Sequence, residues 1–235
     1  MMSHKPHVTL VASAAIAAAL TLAGLPLRAQ VSGGTVSAQQ AGDLSQLTAA
    51  AKAEFSSLLA KALSPENIQA ILRLIKDVQI DTTVVTNFDD VNAPCGFADT
   101  TPLRGREQSA GFLAPKPDGG AILNNCSGFG IAPHSPPNFL AFNNTSAYLA
   151  GGVPKTPELI FVGQNRSTVS LWVSGGSKPG FPLGVVAFGN GGVQGVVTTV
   201  TNSVWAQVTL TGTEITAILL VGNPLYLVVD DITAQ

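Results

Sequence analysis

From residue 80 onward the chain repeats one pattern, in which short runs of Val, Ile, Leu, Phe and Thr alternate with turn-forming Gly, Pro and Asn. Many short runs of this kind, with no helical run between them, predict an antiparallel β-sandwich or barrel. Only 11% of the residues are charged, which suits strands and turns better than helices. The predicted strands are 80–88, 121–124, 138–142, 146–150, 158–163, 167–174, 183–189, 194–200, 204–211, 214–221 and 225–232.

A different period precedes the strands. Between residues 43 and 79 the apolar residues recur at helical spacing in two stretches, which predicts a helical hairpin. Asp43 is the expected N-cap of the first helix, and Ser64 followed by Pro65 is the expected start of the second. A hairpin of this length is not stable alone. It must pack on the rest of the chain, on a second copy or on a partner.

The first 29 residues have the layout of a secretory signal peptide: a short basic start, an uncharged Ala-rich run and a small residue before Gln30. A membrane anchor is the alternative, and the cleavage-like site favours removal. Residues 30–42 are small and polar and predict a linker. Losing Lys5 and Arg28 leaves 10 basic against 14 acidic residues, a net charge of −4, which argues against nucleic acid or anionic membrane lipid as partners.

The only cysteines are Cys95 and Cys126. An even number of cysteines in an exported chain predicts one disulfide. The alternative is a pair of buried free thiols. No Cys-x-x-Cys motif accompanies them, so a zinc site has little support. Export and the disulfide together predict a secreted or periplasmic location.

The β region resembles a family of exported bacterial jelly-roll domains that often carry a PEP-CTERM sorting tail. The resemblance spans roughly 84–233, and its landmarks occur in order: Asn87-Phe-Asp-Asp90, Gly96-Phe-Ala-Asp-Thr-Thr-Pro-Leu103, Gly119-Gly-Ala-Ile-Leu-Asn124, Asn138-Phe-Leu-Ala-Phe-Asn143, Pro157-Glu-Leu-Ile-Phe161 and Val228-Val-Asp-Asp-Ile232. It implies a jelly roll of the galactose-binding-like kind and no particular activity. The chain ends without a PEP motif, so we do not expect that sorting route. The expected fold is therefore a mainly β, antiparallel jelly-roll sandwich over 80–235, preceded by the hairpin.

Four aspartates flank the predicted sandwich, namely Asp89 and Asp90 after its first strand and Asp230 and Asp231 at the end of its last. The first and last strands of a jelly roll often lie side by side, so the two pairs are expected to converge. Nearby carboxylates outside the cell are commonly neutralised by Ca²⁺, and the resemblance also favours a structural calcium. The alternative is that these aspartates cap turns or are solvated at strand ends.

Both tryptophans fall on the polar faces of predicted strands, because side chains alternate along a strand. Trp172 shares its face with Ser170, and Trp205 shares its face with Gln207 and Thr209. An exposed Trp can stack on the apolar face of a sugar ring. The alternative, which the sequence favours, is that the hairpin covers these faces.

The loop around His134 and Asn138 offers polar groups for sugar hydroxyls, although such residues more often satisfy the backbone of turns. After signal removal His134 is the only histidine, and no hydrolase or phosphate-loop motif occurs. We therefore expect no enzymatic activity. The leading hypothesis is a carbohydrate or surface-polymer binding module, and the alternative is a structural or adhesion protein that self-associates through the hairpin.

Overall fold

A computed structural model describes residues 38–39, 44–76, 84–97, 111–113, 119–152 and 155–235. The predicted signal peptide, most of the predicted linker and Asp43 lie outside the described residues. Within the predicted linker, Ala38–Gln39 (β1) is a short strand paired with a later strand at Val208 and Gln207. The predicted linker thus contacts the sheet at these two positions.

The predicted hairpin consists of two α-helices, Ala49–Ala62 (α1) and Pro65–Ile75 (α2), after a 3₁₀ turn at Leu44–Gln46. The Thr48 hydroxyl caps α1 by accepting the Ala51 N–H at 3.2 Å. The Ser64 hydroxyl caps α2 by accepting the Asn67 N–H at 3.3 Å, and Pro65 occupies the first turn as predicted. Helix α1 thus begins after Thr48 rather than near Asp43.

Among the described residues, nine further strands follow the hairpin, and one short helix, Ser146–Ala150 (α3), lies among them. The strands are Val84–Thr86 (β2), Gly111–Leu113 (β3), Ala121–Asn124 (β4), Asn138–Asn143 (β5), Glu158–Ser174 (β6), Pro182–Gly189 (β7), Gly192–Val200 (β8), Ala206–Gly222 (β9) and Tyr226–Ala234 (β10).

All strand pairs are antiparallel, in the order β4-β5-β10-β6-β9-β7-β8, with β1, β2 and β3 pairing to β9, β10 and β6. The central pair, β6 and β9, has 17 residues in each strand and changes register between Phe161 and Thr168. Strands β4–β5 and β7–β8 stand at opposite ends of this order, yet Ile122, Leu140, Leu183 and Val185 belong to one buried cluster. The sheet therefore folds over on itself into two layers around that core.

The first and last strands of the sandwich, β2 and β10, are neighbours. In their antiparallel pairing Thr86 lies opposite Ile232, and Val84 lies opposite Ala234. This adjacency was the basis for expecting the aspartate pairs to converge. The mainly β, antiparallel sandwich with an N-terminal helical hairpin is confirmed.

The hairpin packs on the outer face of the β7–β9 layer. Leu59, Ile71 and Ile75 share a buried cluster with Phe188 and Leu219. A Cβ added at Gly184 of β7 would meet Phe55 and Leu59 at 3.4 Å, so this face lies directly beneath α1. The hairpin does not cover the tryptophans, and that prediction was wrong.

Other local predictions were also corrected. Residues 146–150, predicted as a strand, form α3. The predicted strands 158–163 and 167–174 form one strand, β6. The predicted strands 204–211 and 214–221 likewise form one strand, β9, except that residues 204 and 205 precede it.

The disulfide between Cys95 and Cys126 is present, with the two Cα atoms 5.0 Å apart. It joins the loop after β2 to the turn after β4. In the described ranges, no helix has the length and apolar character needed to cross a membrane.

Candidate functional site

The outer face of the β10–β6–β9 layer carries Trp172. Along β6, Val169, Leu171 and Val173 point into the core and are at most 1% exposed. Ser170 and Trp172 alternate with them and face outward, as the sequence predicts. The sandwich core thus holds Trp172 in place by burying the residues on either side of it.

The ring of His134 lies flat on Trp172, with ring centroids 4.0 Å apart and an angle of 18° between the planes. The same imidazole meets Trp205 edge-on, with centroids 5.9 Å apart and an angle of 76°. Trp205 donates its Nε1–H to the carbonyl of Ala132 at 2.9 Å. The loop that precedes β5 is therefore held against the sheet by both tryptophans.

Three residues predicted separately as ligand contacts thus form one aromatic cluster: Trp172, His134 and Trp205. His134 is exposed, and the two tryptophans are half-buried. The loop carrying His134, rather than the hairpin, partly covers the tryptophans. His134 occupies one ring face of Trp172, and part of the surface of both tryptophans stays exposed beside it.

Beside the cluster, Ser135 binds the two consecutive aspartates at the end of the sandwich. Its backbone N–H donates to Asp230 Oδ2 at 3.0 Å, and its hydroxyl donates to Asp231 Oδ1 at 2.7 Å. His134 Nδ1 hydrogen-bonds to the other oxygen of Asp231. The pairing of β10 with β6 shifts register between Asp230 and Thr233, and Asp231 has φ of +46°. This bulge brings both carboxylates to the same loop, against the usual alternation along a strand.

Asp89 joins the same region through the loop before β5. Its Oδ1 accepts the backbone N–H of Asn138 at 3.1 Å. The Asn138 side chain donates to the carbonyls of Phe88 and Val91, each at 2.8 Å, and is 1% exposed. Asn138 therefore holds the turn that carries Asp89. The prediction that it contacts a ligand is corrected, because its side chain is buried.

The electrostatics reflect this crowding. Burial raises the pKa of Asp230 to about 7, and the nearby charges of Asp231 and Asp89 add to the effect, while hydrogen bonds from the Ser135 and Asp231 backbone amides oppose it. Burial also raises the pKa of Asp89, and Asp231 contributes in the same direction. Among the four predicted metal ligands, Asp230 is fully buried and Asp90 is exposed.

Among the residues that the structure describes, no group of three or more His, Cys, Asp or Glu side chains is arranged to hold a metal ion. The convergence of Asp89, Asp230 and Asp231 is confirmed. Hydrogen-bond donors of the loop contact all three carboxylates.

The outward-facing positions around Trp172 are polar, whereas Val228 of β10, opposite Ser174, is buried in an apolar cluster with Phe129 and Phe139. The hydroxyls of Ser170 and Thr209 lie 3.0 Å apart across β6 and β9. Gln207 is directly opposite Trp172, and Thr233 is opposite Ser170. Because directly paired residues share a face, the aromatic cluster is bordered by a strip of hydroxyl and amide groups.

Sequence reasoning missed Ser135, which binds both terminal aspartates. A serine next to the only histidine of the mature chain was the available signal, but nothing in the sequence shows that its loop crosses to β10. Asn124, the last residue of β4, donates its side-chain N–H to the Ala93 carbonyl at 2.8 Å and stabilises the turn before the disulfide.

The sequence matches no protein-family model and no curated protein. The resemblance to PEP-CTERM-type jelly-roll domains therefore stays an interpretation, and the coarser statement, an antiparallel β-sandwich, is what the structure shows.

Solved structures with some likeness are β-sandwich domains. The K2 cleaved adhesin domain of Lys-gingipain has 12% identity and a TM-score of 0.43, covering 66% of this chain and 98% of its own. The C-terminal family 22 carbohydrate-binding module of Clostridium thermocellum Xyn10B has 12% identity and a TM-score of 0.33, covering 60% and 94%. The family 11 module of Clostridium thermocellum Lic26A-Cel5E has 12% identity and a TM-score of 0.30, covering 66% and 95%. At these values the likeness carries no argument about ligand or activity.

Proposed function

We propose that this chain is an exported, non-catalytic binding module for carbohydrate or another cell-surface polymer. Its ligand surface is the outer face of the β10–β6–β9 layer, centred on Trp172, His134 and Trp205. The observation that carries the proposal is the aromatic cluster itself, which lies at the surface beside a strip of hydroxyl and amide side chains.

Sugars present two kinds of surface, an apolar face of C–H groups and a rim of hydroxyls. An indole ring matches the first and keeps a polar N–H at its edge. The strip that contains Ser170, Gln207 and Thr209 matches the second, because hydroxyl and amide groups both donate and accept hydrogen bonds. The rigid sandwich core beneath Trp172 presents these groups without an ordering cost at binding.

Export is supported by the layout of residues 1–29 and by the disulfide between Cys95 and Cys126, since disulfides persist in oxidising compartments. The alternative, self-association through the hairpin, stays a prediction; most of the apolar stripe of the hairpin is buried on its own sheet, while Leu74 is exposed.

Calcium at Asp89, Asp90, Asp230 and Asp231 stays a prediction. Thermal unfolding with calcium and with chelator tests it, because an ion bound only by the folded state raises the midpoint. A calcium-dependent rise that Asp231→Asn abolishes would support the metal site. Coincident curves would assign these aspartates to the hydrogen bonds described above.

The binding proposal is tested with residues 30–235 on a broad panel of soluble polysaccharides in affinity electrophoresis. Trp172→Ala should weaken binding of the retarding polymer about tenfold, the loss expected for a stacking contact of about 1.4 kcal/mol. Tyr148→Ala is the matched control, since Tyr148 is an exposed aromatic residue on α3. Gln207→Ala gives a second, less disruptive change on the face. Retardation by no polymer, or equal losses in Trp172→Ala and Tyr148→Ala, would refute the proposal.

A further inference from the structure

In the described part of the chain, the paired positions of the outer face from Thr168 to Ser174 on β6 carry no cationic side chain. Arg166, at the bend of β6, donates its Nε–H to the Val162 carbonyl at 3.0 Å. The outward-facing residues of the face, read from the register of β6 with β9 and β10, are uncharged apart from one buried aspartate. They are Thr168, Ser170, Trp172, Gln207, Thr209, Thr211, Thr233 and Asp230. At these described positions a ligand therefore meets hydroxyls, an amide and aromatic rings, and no ammonium or guanidinium group.

The rim of the same face is acidic. The Asp231 side chain is 23% exposed and contacts His134 at the edge of the aromatic cluster. Asp89 is close enough to Asp231 for the two charges to influence each other. In the loop 131–137, His134 is the only residue that can carry a positive charge, and Asp231 already holds it. The fixed charges nearest the tryptophans are thus carboxylates.

We propose that the ligand of this face is an uncharged glycan, and that the site discriminates against glycans bearing carboxylate or sulfate groups. This inference rests on the proposed function and names its ligand class. The described positions of the face supply neutral hydrogen-bonding groups for sugar hydroxyls, and they supply no cationic partner for an anion.

The physical reason is that an anionic substituent would leave water without gaining a cationic partner. Desolvating a charge is costly unless a partner compensates it, and proteins that recognise carboxylates or sulfates supply Arg or Lys for this purpose. The carboxylates at the rim also repel an anionic ligand. Salt weakens this repulsion, because at 1 M the Debye length is only about 3 Å. Discrimination should therefore be salt-dependent.

The test compares derivatives of one polymer. The neutral polysaccharide that binds best is prepared in a carboxymethylated form and in a hydroxyethylated form of equal substitution, which controls for bulk. Calorimetry with residues 30–235 should show the carboxymethylated form binding about tenfold more weakly than the hydroxyethylated one at low salt, and the gap should narrow at about 1 M NaCl. Equal or tighter binding of the carboxymethylated form would overturn the inference while leaving the proposed function intact.

A charge variant locates the effect. Asp231→Asn keeps an acceptor for the Ser135 hydroxyl and removes one negative charge from the rim, so the gap between the two derivatives should shrink. Glu66→Gln removes the same charge from the exposed side of α2 and should leave the gap unchanged. An identical gap in all three proteins would reject discrimination by the rim. Failure of every polymer, charged or neutral, to bind would instead refute the proposed function.

Discussion

Glu158 begins strand β6 with its carboxyl group buried, and replacing it by Gln should change how the stability of the protein depends on pH. The side chain is 1% exposed, and its Oε2 accepts the backbone N–H of Gly120 at 3.0 Å. Burial raises the pKa of Glu158 from 4.5 to about 8, against the smaller opposing influence of the Gly120 hydrogen bond. The folded protein therefore keeps this proton at neutral pH.

The direction of the effect follows from proton linkage. Between pH 4.5 and about 8 the unfolded chain has released the Glu158 proton while the folded chain retains it. The free energy of unfolding therefore falls as the pH rises through this interval. At about 1.4 kcal/mol for each pKa unit, the interval corresponds to a loss of roughly 5 kcal/mol. Glu158→Gln keeps an acceptor for Gly120 and has no proton to lose, so this loss should disappear.

Urea unfolding followed by tryptophan fluorescence at about pH 5 and about pH 9 measures the effect. The native protein should lose several kcal/mol more than Glu158→Gln over this range. The raised pKa of Asp230 acts in the same direction in both proteins and should cancel in the comparison. Glu66→Gln, which removes an exposed carboxylate, should parallel the native protein. Parallel curves for the native protein and Glu158→Gln would refute this account of the buried carboxyl group.

Three further predictions concern packing and cross-linking. Leu59→Ala should lower the free energy of unfolding by about 3 kcal/mol, because Leu59 is buried between α1 and the sheet. Leu74→Ala, on the exposed side of α2, should lower it by under about 0.5 kcal/mol, and equal losses would contradict this packing. Asn138→Ala should lower the free energy of unfolding by about 2–3 kcal/mol because it leaves two carbonyls without donors, while Asn125→Ala, at an exposed position, should be near neutral. An unchanged denaturation midpoint for Asn138→Ala would exclude a structural role for the Asn138 side chain. Reduction of the disulfide, which spans 31 residues, should cost about 3–4 kcal/mol, and a melting temperature insensitive to reductant would contradict this.

The pattern of apolar residues along the strands indicates which face of the sheet the hairpin covers. Strand β7 and the stretch 215–221 have apolar residues at consecutive positions, while 167–173 and 206–211 alternate. Consecutive apolar residues indicate a strand covered on both faces. In the structure β7 is buried along its whole length, with the core on one side and α1 on the other. The alternating strands are the ones that present Trp172 and Gln207 outward.

The long strands were divided because their bulges look like turns. Gly163 and Asn165 have φ of +94° and +55°, so residues at the junction of the two predicted strands let one strand bend between the two layers. Residues 146–150 were assigned to a strand from their apolar content, yet Ala and Leu also favour a helix, and Thr145 leads into one. Local composition alone does not separate these outcomes.

The candidate site was predicted in its parts and not in its assembly. Alternation placed Trp172 on the outer face, and the adjacency of the first and last strands brought Asp89 toward Asp231. The stacking of His134 on Trp172 depends on the path of a loop between distant strands, for which the sequence carries no periodic signal. The bulge at Asp231 likewise interrupts the alternation of side chains between the two faces of β10, so alternation does not predict where Asp231 points.

The most direct test uses the fact that the chain has only two tryptophans. Each gives one indole N–H resonance in an NMR spectrum. The Trp205 indole N–H donates a hydrogen bond to the Ala132 carbonyl, which helps to distinguish its resonance from that of Trp172. Titration of residues 30–235 with the best neutral polysaccharide should shift or broaden the Trp172 indole signal saturably, at the concentration at which calorimetry reports binding. A polysaccharide that binds while both indole signals stay unchanged would place the ligand elsewhere and contradict the central claim.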